Sequence, residues 1–191
     1  MCTPKPIYKP KPEQIPAALQ AVFYEIETFL WTTRETYKIQ CVSKHPDLLE
    51  SRLLHTRNLI HFFERQVKCR KDDDVLAEDY GFLPRKIQIS KDYRSRLNKS
   101  LSHITYARVA FKSQGKRPWP IKDTVLPLLD PCEEFLQHLI DRFLQKDNEA
   151  DRRKAARRIE HVRELRQIIN TQPESPHDPV AHKVHEPRRQ T

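Results

Sequence analysis

Residues 19–37 read LQAVFYEIETFLWTTRETY, and the spacing of their apolar side chains decides the fold class. Apolar positions recur at steps of three and four residues, which places them on one face of an α-helix. These positions are Leu19, Val22, Phe23, Ile26, Phe29, Leu30, Thr33 and Tyr37. The stretch therefore predicts a long amphipathic helix whose apolar face is turned toward a core.

The same spacing recurs in four further stretches of the chain. The second opens with Pro46 and Asp47 and repeats to Val67, and the third begins at about Ser90, a plausible N-cap, and repeats to Phe111. The fourth spans 125–143 and the fifth lies within 148–169, where Ile159, Val162, Leu165, Ile168 and Ile169 form its stripe. No stretch has the alternation of a strand, and two glycines in 191 residues leave few tight turns. An all-α bundle of four to five helices is predicted.

Two features within this pattern predict interruptions. Pro127 and Pro131 should kink or break the fourth helix, and the pair Asp130-Pro131 is typical of a cap followed by a first turn. The stretch KDDDVLAEDYGFLP at 71–84, between the second and third helices, is acidic and turn-like.

The two ends of the chain differ from its middle. Residues 1–13 alternate proline with lysine, which predicts an extended arm. Residues 171–191 are rich in proline and histidine and poor in aliphatic side chains, which predicts a disordered tail. A single helical domain is expected over 14–170.

Several classes of protein are disfavoured by composition. The four cysteines are far apart, so neither a zinc site nor a disulfide framework is expected, and no metal or other cofactor is predicted. Glycine-rich phosphate loops are absent. No apolar run reaches membrane-spanning length, and the first residues lack the apolar centre of a secretory signal. A soluble cytoplasmic protein without membrane contact is the expectation.

The positive charge is concentrated in one segment. The formal net charge is +9, and residues 85–117 hold ten Lys/Arg against one acid, Asp92. Such a surplus favours an anionic partner, RNA or another nucleic acid, with Lys91, Arg94, Lys99 and Arg108 as candidate contacts. The alternative is a solvated lysine-rich face with no partner. We refer to residues 85–117 as the basic segment.

The third helix also carries the candidate catalytic pair, Arg96 and His103. At about 100° per residue the two share a face beside the small Ser100 and Ala107, off the centre of the apolar stripe. Arg94 falls on the opposite flank. Either the pair meets a common ligand, or His103 is a packing histidine and Arg96 is solvated.

A second polar row lies on the second helix, at Glu50, Arg57, His61 and Glu64. It is interpreted either as a buried network or as a surface ladder of ion pairs.

The acids of 72–79 suggest either a divalent-cation site or helix capping and pairing with the basic segment. The arginines of 152–158 could track a phosphate backbone or pair with the acids around them. The tail histidines, His177, His182 and His185, are expected to have no function.

A family resemblance rests on three ordered segments: ESRLLHTRNLIHFF, DDDVLAEDY and LNKSLSHITYAR. Together with Arg96 and His103, which six residues separate in the spacing Arg-LNKSLS-His, they resemble the HEPN superfamily, in particular a group of uncharacterised bacterial proteins. The resemblance covers about 50–108. Leu97 stands between Arg96 and Asn98, whereas a tighter form of the family motif has Arg directly before Asn.

The resemblance implies metal-independent RNA cleavage at a site completed across a homodimer. His103 would act as general base or acid, because imidazole titrates near neutral pH, and Arg96 would stabilise charge on the phosphate. The residues themselves leave two other functions open. One is a non-catalytic helical module that binds a protein or nucleic acid, and the other is a cytosolic scaffold.

Overall fold

The computed structural model describes residues 8–38, 45–70, 73–101, 120–145 and 148–171. Within these ranges the regular structure is helical and contains no strand, so the predicted all-α bundle is confirmed. The α-helices are α1 (Gln14–Lys38), α2 (Pro46–Glu64), α3 (Lys91–Leu101), α4 (Ile121–His138) and α5 (Glu149–Thr171). Short 3₁₀ turns at Val67–Cys69 and Ala77–Tyr80 lie between α2 and α3. None of these helices is long and apolar enough to cross a bilayer.

The core lies between α1, α2, α4 and α5. Helix α1 packs against α2 and α5, and α4 packs against α5 and α2. The predicted stripe of α1 is buried except for Tyr37, which is half-buried. Phe135 of α4 lies at the centre, and the rings of Phe62, Phe63, Tyr80 and Phe82 surround it edge-on at 5.0–5.9 Å between centroids. Edge-to-face contacts of this kind add to the free energy gained from burying the rings.

Helix α4 runs through both of its prolines, so the predicted interruption at Asp130-Pro131 is wrong. Each internal proline removes a backbone hydrogen bond, at a cost of about 3 kcal/mol. The apolar stripe on both sides of the prolines is fully buried, and this burial outweighs the cost. Its members are Val125, Leu128, Leu129, Cys132, Phe135 and Leu136.

The irregularity of this region lies further on, in a single π-helical turn at Leu139–Phe143. Such a turn leaves backbone carbonyls without their usual partners. Arg152 of α5 acts as the donor to two carbonyls here: its Nη1 donates to the carbonyl oxygens of Ile140 at 2.6 Å and Leu144 at 3.2 Å. The junction between α4 and α5 is therefore held by a side chain of α5.

The acidic segment forms turns, as predicted, but it also contributes to the core. Leu76, Ala77, Tyr80 and Phe82 are buried, and the 3₁₀ turn ends at Gly81 with φ of 75°. This left-handed conformation favours glycine. The burial was not expected, because a count of acids conceals the apolar side chains that lie between them and just after them.

The ends of α2, α3 and α5 agree with the sequence pattern in most respects. Val67 lies in the 3₁₀ turn just beyond α2. Ser90 caps α3, since its Oγ accepts a hydrogen bond from the Tyr93 amide at 3.2 Å. In α5 the predicted stripe is buried together with Ala155, and only Ile168 is half-buried.

The predicted arm and tail fall mostly outside the described residues. Residues 1–7 and 172–191 are not among them. The six described residues before α1 include Tyr8, whose ring lies 5.9 Å from the guanidinium carbon of Arg70. The predicted disorder of both ends stays a prediction.

Candidate nucleic-acid interface

Arg96 is buried in the structure, with 5% of its surface exposed. Its guanidinium carbon lies 5.2 Å from the centroid of the Tyr93 ring, one turn earlier on α3. Cation–π contact of this kind suits a planar guanidinium. The interpretation of Arg96 as a solvated arginine is therefore wrong.

The partner proposed for Arg96 lies outside the described residues. His103 and Arg108 fall within 102–119, and the side chain of Lys99 is not described either. The Arg96–His103 pair accordingly stays a prediction.

Arg94 joins three parts of the fold. Its Nη1 and Nη2 donate to the two carboxylate oxygens of Glu64 at 2.7 Å each, which ties α3 to the end of α2. It also donates to the carbonyl oxygens of Ile87 and Ile89, and Glu64 accepts the Ile87 amide at 2.6 Å. A bidentate, half-buried pair of this kind is among the stronger ionic contacts in proteins. The Arg94 guanidinium, predicted as a nucleic-acid contact, is therefore bound to Glu64 within the fold, and reversing its charge would break this junction.

The other described cations of the basic segment divide into two groups. Arg85 pairs with Glu134 of α4. Lys86 and Lys91 are exposed, and neither makes an ion pair with any described acid. These two lysines therefore present their charge to solvent next to the N-terminus of α3.

The polar row on α2 does not form a ladder along its own helix. Glu64 pairs with Arg94 of α3, and Arg57 Nε donates to Asn98 Oδ1 of α3 at 3.2 Å. Glu50 is exposed, whereas Arg57, His61 and Glu64 are half-buried. The row thus forms a seam between α2 and α3. Its burial is intermediate between the buried network and the surface ladder of ion pairs that the sequence left open.

His61 occupies the middle of this seam. Partial burial and the positive charges of Arg57 and Arg65, one turn away on either side, lower the pKa of His61 below its usual 6.5. The carboxylates of Asp74 and Glu64 oppose this effect but do not cancel it. The imidazole is therefore neutral at pH 7 and can accept a proton or a hydrogen bond.

A polar cluster between α1 and α2 was missed by sequence reasoning. His55 Nδ1 lies 2.7 Å from Glu25 Oε2, and the side-chain amide of Asn58 donates to both Glu25 oxygens at 3.3 Å. The His55 side chain is buried against α1. Arg52, one turn earlier, is also fully buried. No local signal in the sequence pairs residues 30 positions apart.

Two of the acids of 73–79 pair with cations within the fold, and a third binds a backbone amide. Asp74 pairs with Arg65, and Asp79 pairs with Arg70 while accepting the Leu76 amide at 2.9 Å. Glu78 accepts the Val67 amide at 2.6 Å. Capping and pairing are thus confirmed, but the partners are Arg65 and Arg70 rather than the basic segment. The described ranges hold no cluster of side chains suited to a metal ion, and Asp72 and the tail histidines lie outside them.

The arginines of α5 serve mainly to dock this helix onto its neighbours. Arg158 pairs with Glu27 of α1 and lies 4.7 Å above the Phe23 ring. Two later arginines reach α4, Arg163 to Glu133 and Arg166 to Glu133 and Asp130. Within 152–158 the predicted pairing with acids is found in part: Arg153 and Lys154 pair with Glu149 and Asp151 along α5, and Arg158 pairs with Glu27 of α1.

No family model, curated protein or solved structure matches this chain. The chemistry of the interface therefore depends on the residues described above.

Proposed function

We propose that the protein is an RNA-binding helical bundle that contacts the phosphate backbone through the basic segment. The proposal depends chiefly on where the unneutralised charge lies. The sequence surplus of +9 belongs to residues 85–117. Arg85 and Arg94 of this segment pair with Glu134 and Glu64, whereas Lys86 and Lys91 keep their charge exposed.

The pairing of the other cations supports this choice of surface. In α5, Arg158, Arg163 and Arg166 bind acids of α1 and α4, and Arg153 and Lys154 pair with acids of α5 itself, whereas Arg157 is exposed and makes no ion pair with a described acid. Charge that is already neutralised within the fold releases few counterions on binding a polyanion. The basic segment is therefore the better candidate for the phosphate contact.

The seam between α2 and α3 extends the same surface. Arg57 is half-buried and bonded to a neutral amide, that of Asn98, so its charge is not neutralised by that contact. The neutral imidazole of His61 lies one turn further along α2. A phosphate group at this seam would meet a guanidinium and an imidazole together, which is a suitable setting for positioning a phosphodiester.

The experiment measures binding of a fluorescent single-stranded RNA by anisotropy over a range of salt concentrations. We expect affinity to fall steeply as salt rises, and the double variant K86E/K91E to bind more weakly. Its slope of log K against log salt should be smaller by about 0.7 for each lysine that contacts phosphate.

A matched control separates local contact from net charge. Lys9 and Arg157 are exposed and make no ion pair with a described acid, so K9E/R157E changes the net charge by the same amount at other sites. We expect this control to retain most of the affinity and the slope. Equal losses in both variants, or binding indifferent to salt, would refute the proposed surface. Absence of binding at low salt would instead favour a helical module that binds a protein.

A further inference from the structure

The α2 side of the seam holds a histidine between two arginines. Arg57, His61 and Arg65 follow one another at intervals of four residues, which places them in one row along the surface of the helix and its C-terminal end. All three side chains are half-buried. A ligand that contacts the His61 ring therefore lies next to positive charge on both sides.

Both ring nitrogens of His61 are available to such a ligand. Neither nitrogen bonds to a described residue, and neither is enclosed by the protein, although the ring is half-buried. The other histidine in the middle of α2 differs in this respect, because His55 Nδ1 is bound to Glu25. An imidazole without a partner can take up a proton when an acceptor arrives.

The charged groups around His61 form two ion pairs and leave one arginine without a counter-ion. The pairs are Glu64 with Arg94 of α3, and Asp74 of the acidic segment with Arg65. Arg57 makes no ion pair with a described acid, since its Nε donates to the neutral amide of Asn98. The unneutralised charge next to His61 is therefore that of Arg57, and protonation of the imidazole would add a second positive charge beside it.

The geometry of these two donors suits a phosphate group. Nη1 and Nη2 of Arg57 have no acceptor among the described residues, and together they form an edge of the guanidinium that can donate two parallel hydrogen bonds to phosphate oxygens. The unesterified oxygens of a phosphodiester only accept hydrogen bonds. A neutral imidazole offers them one N–H and an imidazolium offers two, so they favour the protonated ring.

Binding of an anion here reverses the electrostatic effect on His61. Partial burial and the charges of Arg57 and Arg65 lower the pKa of the ring when no anion is bound. A phosphate beside the ring favours the protonated form and opposes this effect. Because coupling between two bound species is reciprocal, the proton strengthens phosphate binding by the same factor. Affinity should therefore rise as the pH falls through the pKa of the bound state.

We propose that Arg57 and His61 form a phosphodiester-binding site of the RNA surface, at which His61 takes up one proton when the phosphate binds. This inference rests on the proposed RNA-binding function and adds to it a dependence on pH. RNA is held more tightly in mildly acidic solution and is released as the pH rises.

The direct test is an NMR titration of the His61 ring in the full chain, with and without an oligouridylate, whose bases do not titrate in the range used. The signal is assigned by its loss in H61Q. We expect RNA to raise the midpoint of His61 by about one pH unit, which corresponds to a gain in affinity of about tenfold on acidification. The ring of His161 on α5 is the internal control, and its midpoint should stay unchanged.

Two variants that each remove one imidazole extend the test to affinity. The affinity for the oligouridylate is measured by anisotropy at fixed salt between about pH 8 and pH 5.5. H61Q should bind like the parent chain at the upper limit and lose most of the gain at the lower one, whereas H161Q should keep that gain. If H61Q does not fold, the shift of the His61 midpoint in R57Q decides, because loss of the guanidinium should reduce the effect of RNA on this ring.

The outcomes separate this inference from the proposed function. Salt-dependent RNA binding that leaves the His61 midpoint unchanged, or equal pH dependence of H61Q and H161Q, would overturn the inference and leave the RNA-binding surface standing. If no RNA binds, the proposed function fails, and sulfate, a tetrahedral anion whose charge is constant over this range, takes the place of the RNA. A higher His61 midpoint in sulfate than in chloride of equal ionic strength would support the phosphate site, and equal midpoints would overturn it.

Discussion

His55 Nδ1 and Glu25 Oε2 lie 2.7 Å apart and connect α1 to α2 at a partly buried point. Asn58 donates to the same carboxylate, so Glu25 is held by two side chains of α2. The Tyr24 ring packs edge-on against His55 at 5.8 Å between centroids. This cluster fixes the register between the first two helices.

Replacing the carboxylate by an amide should weaken this contact. We expect E25Q to lower the free energy of unfolding by about 1–3 kcal/mol, because a hydrogen bond to a charged group is lost while His55 stays buried. Urea denaturation monitored by circular dichroism measures the change. E35Q, which removes the exposed partner of Lys38 on the same helix, is the control and should change stability by less than about 0.5 kcal/mol. Equal stability of E25Q and the parent chain would contradict this role.

Arg94 gives a second test of stability. Because R94A leaves Glu64 half-buried without its cation and frees two backbone carbonyls, we expect a loss of about 2–4 kcal/mol in the free energy of unfolding. The neighbouring K91A removes an exposed lysine and should have little effect. The melting temperatures of the two variants make the comparison. If R94A melted like K91A, the junction between α2 and α3 would not depend on this pair.

The lowered pKa of His61 predicts a pH dependence. In the unfolded chain His61 binds a proton near pH 6.5, whereas in the folded chain it is protonated only at lower pH. The contribution of His61 to the free energy of unfolding is therefore complete above pH 6.5 and is lost as the pH falls through the pKa of the folded state. NMR titration of the His61 ring should give a midpoint below 6.5. R57Q should raise that midpoint because it removes one of the two neighbouring positive charges, while R153Q on α5 should leave it unchanged.

The resemblance to HEPN domains leads to a prediction about catalysis. If the basic segment cleaves RNA, H103A should abolish cleavage and leave the melting temperature within a few degrees, and a chelator should have no effect. H161A on α5 is the control histidine and should retain activity. R96A is a less specific probe than the sequence suggested, because the burial of Arg96 means that its loss also weakens the packing of α3. Cleavage that survives H103A, or that requires a metal ion, would contradict the implied mechanism.

Periodicity predicted the helices well because burial of one face controls most positions. The stripe of α1 and most of that of α5 are buried as expected. Local rules failed at α4, where Pro131 predicted an end; the apolar spacing was correct there, and burial of the surrounding stripe kept the helix continuous.

The polar residues were harder to place because their partners are distant in sequence. Glu64 and Arg94 are 30 residues apart, as are Glu25 and His55, and a helical wheel shows only which face a residue occupies. It cannot show which neighbouring helix brings an opposite charge. The residues expected to face a ligand were therefore partly used to hold α2 against its neighbours.

The pairing of Arg158 with Glu27 has a consequence for how the chain folds. These residues are separated by 131 positions, so α1 finds this partner only after α5 has left the ribosome. Until then, the part of the α1 surface that packs on α5 stays exposed to solvent. The contacts between these two helices also require the closure of a long loop, which costs conformational entropy. The bundle is therefore expected to complete its folding in one late step, which follows the emergence of α5 and closes the first helix onto the last.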